Sequence, residues 1–171
     1  ERGYAHQPGK RENMIENYLG IFEESLHKKL EILDAIAKYN NDQEQLLRQE
    51  NISLDQLDAN MEQKDSLIQK LSGLDEGFET LYERIKDQLA DNKSSYRDQI
   101  RRLQELISLT MEKSISIQAQ EARNKKLIEK YFAHEKNQLR EGRKASKAAY
   151  GYYKSMSNSN VVSAHYLDSK K

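Results

Sequence analysis

An all-α fold, an elongated antiparallel three-helix bundle or coiled coil with a partly helical or disordered C-terminal tail, is predicted by three observations. Gln, Glu, Lys, Leu and Ala dominate the 171 residues, there is no Trp, and the one proline is Pro8. Those side chains lose little freedom in a helix, and no proline interrupts the chain after Gly9. Apolar residues recur at steps of three and four from Met14 to beyond Tyr131, the spacing that gathers them on one helical face. Only two short polar stretches, near residues 50–53 and 91–95, break that rhythm.

Residues 1–13 hold Gly3, Pro8 and Gly9 and show no periodicity, so they read as a disordered leader preceding Met14. The first helix is expected over about 14–49. Ile15, Leu19, Phe22, Leu26, Leu30, Leu33 and Ile36 form its stripe, widened by Tyr18, Ile32 and Tyr39; the pattern weakens at Asn40-Asn41-Asp42 and resumes at Leu46-Leu47. Ser53-Leu54-Asp55-Gln56 has the S-x-x-Q form of a capping box and opens a second helix, about 54–90. Leu57, Lys64, Leu71, Phe78 and Ile85 fall every seven residues, as do Met61, Ile68, Asp75, Tyr82 and Leu89. Gly73 and Gly77 leave that phase undisturbed, so a kink is the most they would cause. Asp91 to Ser95 supplies turn and N-cap chemistry for a third helix, about 94–140, with Gly142 as its stop. Its stripe runs from Tyr96 through Ile107, Ile117 and Ile128 to Tyr131 and turns polar between Thr110 and Asn124. Short connections make successive helices antiparallel, which yields one bundle over 14–141.

Charge and motif content exclude several functions. Residues 14–141 carry 25 acidic and 19 basic side chains, whereas 142–171 carry six basic ones and only Asp168 as an acid. A nucleic-acid binder would place its basic excess on the folded body, so no nucleic-acid partner is expected. The chain has no cysteine, which rules out disulfides and thiolate chemistry. With no apolar run of membrane-span length and no secretory h-region, membrane insertion is not expected and the cytoplasm is the expected compartment.

An enzyme is not expected either. A carboxylate-bridged di-metal site in a bundle needs two Glu-x-x-His units on different helices, and Glu24-x-x-His27 is the single instance. His134-Glu135 lacks the second histidine of a zinc-protease helix, the glycines form no phosphate loop, and no serine sits in G-x-S-x-G. The sequence thus predicts no catalytic residue, metal or cofactor.

Antiparallel packing has a geometric consequence. If the third helix folds back along the second, residues near 130 arrive opposite Leu54, and the first helix is exhausted at the same level. Everything after about Phe132 then lacks a partner helix within the chain. Yet Ala145, Ala149, Tyr152 and Met156 keep helical spacing, with Tyr150 and Tyr153 beside them. Ile128, Tyr131, Phe132, Ala145, Ala149, Tyr152, Tyr153 and Met156 are therefore the candidate partner-binding residues, and 142–171 is a basic, tyrosine-rich binding segment. The same stripe would equally serve a tail that folds back on its own bundle or pairs with a second copy, because spacing does not say what covers it.

The Asn51-to-Leu57 connection into helix two, the stretch Glu121 to Phe132, the Tyr150–Tyr153 region and the ending Tyr166-Leu167-Asp168-Ser169-Lys170-Lys171 resemble the FlgN family of flagellar export chaperones. The resemblance covers about residues 14–171. It implies a cytoplasmic chaperone that binds the terminal helices of hook-filament junction (hook-associated) proteins. Such a chaperone prevents premature assembly and delivers its cargo to the type III export gate of the flagellar export apparatus. The rival readings are a structural coiled-coil scaffold that homodimerises and an adaptor that sequesters a regulator.

Overall fold

The structure, a computed structural model, describes residues 8–134, with side chains described from Met14 onward. Three helices follow in order: α1 (Pro8–Leu47, 40 residues), α2 (Leu54–Asp91, 38 residues) and α3 (Arg97–His134, 38 residues). The all-α, three-helix expectation is met among the described residues. Helix α1 packs along both α2 and α3, whereas no Cα of α2 comes within 8 Å of one in α3. Helix α1 is therefore the central strut, and α2 and α3 meet through long side chains.

The helix ends follow their local chemistry, with two departures. α1 begins at Pro8 rather than Met14, so residues 8–13 belong to the helix and not to a leader. Proline suits a first helical position because its missing N–H would be unpaired there and its φ is already helical. α3 begins at Arg97 rather than near residue 94. Asn92 ends α2 by donating its backbone N–H to Leu89 O (3.2 Å) and its side-chain amide to Gln88 O (2.9 Å). The next residues then complete a turn, with Ser95 N–H donating to Asn92 O at 3.1 Å, before Tyr96 O accepts from Ile100 N–H at 2.9 Å. At α2 the capping serine behaves as the sequence predicts: Ser53 is extended (φ −82°, ψ 110°) and its Oγ accepts from Gln56 N–H at 3.3 Å. α2 continues unbroken through Gly73 and Gly77.

The stripes are buried as the spacing requires, but the core is not continuous. A large apolar cluster at one end joins Ile15, Leu19, Phe22 and Leu26 to Phe78, Ile85, Tyr96, Leu103 and Ile107. Within it the Phe22 and Phe78 rings lie 4.6 Å apart, tilted. A middle cluster holds Leu33, Ile36, Ile68, Leu71 and Ile117. A third, at the α1–α2 connection, holds Leu47, Leu57, Met61 and Ile128. Two polar layers separate them.

Candidate functional site

The first polar layer is built from Lys29 of α1 and Asp75 of α2. Lys29 Nζ lies 2.8 Å from Asp75 Oδ1, and both side chains are less than a tenth exposed. On α3 the same layer presents Thr110 and Ser114, whose buried hydroxyls donate to Ile107 O (2.7 Å) and Thr110 O (2.8 Å) of their own helix. A cavity of about 20 Å³ lies beside the ion pair, bounded by Ser25, Leu26, Phe78, Ile107 and Thr110. That is room for about one water molecule. Burial pushes the Asp75 carboxyl above the ordinary carboxylate range, and the Lys29 ammonium offsets part of the rise.

The second polar layer engages all three helices. Lys64 Nζ of α2 sits 2.9 Å from Glu121 Oε1 of α3, with side-chain exposures of 2% and 3%. The same ammonium donates to Gln43 Oε1 of α1 at 3.0 Å. Asn124 Nδ2 donates to that Gln43 oxygen (3.0 Å) and to Asn40 O (2.9 Å). Asn40 Nδ2 donates to Gln120 Oε1 (3.2 Å), and Asn60 Nδ2 donates to Tyr39 O (2.9 Å). Burial lowers the Lys64 pKa from its ordinary value, while the neighbouring Glu121 carboxylate works against that shift. Nearer the surface Lys113 also pairs with Asp34, tying α3 to α1 again.

The sequence-derived binding residues meet the structure at the α3 C-terminus. Ile128 is 4% exposed and buried among Leu47, Leu57 and Met61. It is corrected from a binding residue to a core residue, because the α1–α2 hairpin end reaches far enough to cover it. Phe132 is half-buried and packs on the same cluster, and its ring lies 5.3 Å from that of half-buried Tyr131. The structure thus brings Tyr131 and Phe132 together at the end of the bundle, one turn beyond the last fully buried residue of α3. Ala145, Ala149, Tyr152, Tyr153 and Met156 lie outside the described residues.

Two features escaped the sequence reading. Asn40 and Gln43 continue the α1 stripe as core residues, each 1% exposed, where the apolar pattern looked broken. Lys29 flanks the stripe and is nonetheless buried. The signal available was the coincidence of level: polar residues occupy the stripe of α1, α2 and α3 at matching heights in the antiparallel arrangement.

His27 is largely exposed, with Glu23 Oε1 at 4.0 Å, and among the described residues no group of three or more His, Asp or Glu could hold a metal ion. No described helix is long and apolar enough to cross a membrane. No family model, no curated protein and no solved structure matches the chain.

Proposed function

We propose that the chain is a cytoplasmic, non-catalytic helix-binding chaperone. In the manner of the FlgN-like export chaperones it would hold the terminal helices of hook-filament junction proteins and pass them to the flagellar export gate. The observation that carries this reading is the position of Tyr131 and Phe132. They form a half-buried aromatic pair at the end of α3, past Ile128, where α1 has already ended at Leu47 and α2 has only just begun at Leu54. Beyond them the chain adds 39 residues that are basic and rich in tyrosine. An aromatic pair left partly in water holds apolar area worth roughly 25 cal/mol per Å² once covered. An amphipathic cargo helix, which would otherwise associate with its own kind, is a suitable cover.

Calorimetric titration of the chain with a hook-filament junction protein from the same genome tests this reading. The full chain is expected to bind with one cargo per chain, and a chain ending at Gly142 to lose binding while keeping its thermal melt. Equal binding by both chains, or binding by neither, would overturn it. Sedimentation of the full chain as a rod-like dimer, with the region after Phe132 in the self-interface, would favour the scaffold reading instead.

A further inference from the structure

We propose that the two buried charge pairs, Lys29–Asp75 and Lys64–Glu121, form a register lock: their task is to admit one alignment of the three helices and exclude those displaced by a heptad. The need for such a device follows from the repeat itself. In α2 the residues at both stripe positions recur every seven places, so one apolar layer resembles the next. A slip of one heptad displaces a helix by about 10 Å. The Arg48–Ser53 connection does not forbid it, since six residues extend to about 20 Å.

The polar layers do forbid it. In the observed alignment Lys29 faces Asp75, and Ile36 shares a cluster with Ile68. Sliding α2 by seven residues one way or the other carries Asp75 to the level of Phe22 or Ile36, both about 2% exposed or less. It carries Lys29 to the level of Tyr82 or Ile68. Lys64 moves to the level of Leu33 or Leu47 and leaves Glu121 behind. Each slip therefore buries charges among apolar side chains with no counter-ion, among the most unfavourable arrangements a core can contain. The first pair ties α1 to α2 and the second ties α2 to α3, and Gln43 and Asn124 join α1 and α3 to the second pair. All three pairs of helices are tied at these levels. α2 and α3, whose backbones stay apart, are linked at this level by the Lys64–Glu121 pair. A single polar residue at a core position fixes register in coiled coils by the same logic.

Disulfide trapping tests the lock, because the full chain contains no cysteine of its own. Leu26 and Phe78 stand at the same level, line the same cavity and share a core cluster, so L26C with F78C reports the observed alignment. L26C with L71C or I85C reports a slip of one heptad. In the charged background only L26C/F78C is expected to close. In a charge-free background (K29M, D75L, K64M, E121L) the slipped pairs are expected to close as well, with a melting temperature no lower than that of the natural chain. A swapped background (K29D with D75K) is expected to restrict closure to L26C/F78C again. Closure of L26C/F78C alone in the charge-free background would overturn the proposal. So would failure of that background to fold, since the pairs would then supply stability rather than selectivity, and so would slipped closure in the charged background.

Discussion

Replacing Lys64 by methionine isolates the energetics of the second polar layer. The ammonium it removes contacts Glu121 at 2.9 Å and Gln43 at 3.0 Å. Gln43 Oε1 keeps the amide of Asn124 as a donor, so the loss falls on the Glu121 carboxylate, whose side chain is 3% exposed. Breaking a buried pair from one side typically destabilises by about 3–5 kcal/mol. With a urea slope of about 2 kcal/mol/M for a domain of this size, the unfolding midpoint should fall by about 2 M. The double variant K64M/E121L removes both charges, and its stability should return to within about 1 kcal/mol of the natural chain or exceed it. The double-mutant cycle should therefore show a coupling of at least about 2 kcal/mol, read from urea denaturation followed by circular dichroism. A K64M variant within about 1 kcal/mol of the natural chain, with no rescue by E121L, would refute the reasoning. It would mean that solvent reaches Glu121 freely.

Three further outcomes are expected. Ile128→Ala should destabilise by about 2–4 kcal/mol, as a buried branched side chain does, and Tyr131→Ala by about 1 kcal/mol or less; thermal melts of the two variants compare them directly. Gly73→Ala and Gly77→Ala should each stabilise by about 1 kcal/mol, because a Cβ at either position meets nothing within 4 Å and the helix gains propensity; a fall in melting temperature would show that these sites are strained. The third concerns pH. Asp75 has a raised pKa in the folded state, so below it the folded chain binds more protons than the unfolded chain, and this group's contribution grows as pH falls toward 3.8 and is lost as pH rises through the folded value. Lys64, with a lowered pKa, behaves oppositely: its contribution is present above 10.5 and is lost as pH falls through the folded value. The stability of Asp75→Asn relative to the natural chain should accordingly rise between pH 4 and pH 7, measured by urea midpoints at both.

The parts of the fold legible in the sequence are those where one residue type and one period agree. Leu57, Leu71, Phe78 and Ile85 announce their burial by sevenfold recurrence, and Ser53 announces a helix start by its hydroxyl and by Gln56 three places on. Asn40 and Gln43 looked like the weak end of a stripe because polarity ordinarily marks the outer face. Their burial depends on Lys64, Gln120 and Asn124 from the other helices, which no local window contains. Lys29 is hidden for the same reason, its counter-ion lying 46 residues away. Ile128 precedes Phe132, the level at which the antiparallel arrangement runs out of partner helices, so its place in the core beside Leu47 and Leu57 follows from the same geometry. The start of α1 at Pro8 is hidden in the sequence because Pro and Gly read as breakers, although proline is well suited to a first turn. A binding surface leaves little local imprint beyond unexplained aromatic residues such as Tyr131 and Phe132.

Amide hydrogen exchange on the full chain, with and without a hook-filament junction protein, examines the docking claim most directly. Slowed exchange concentrated between Tyr131 and Met156, with the amides of Ile15 to Ile36 unchanged, is the predicted result. Cargo-dependent protection confined to the outer face of α1 or α2, with none after Phe132, would contradict it.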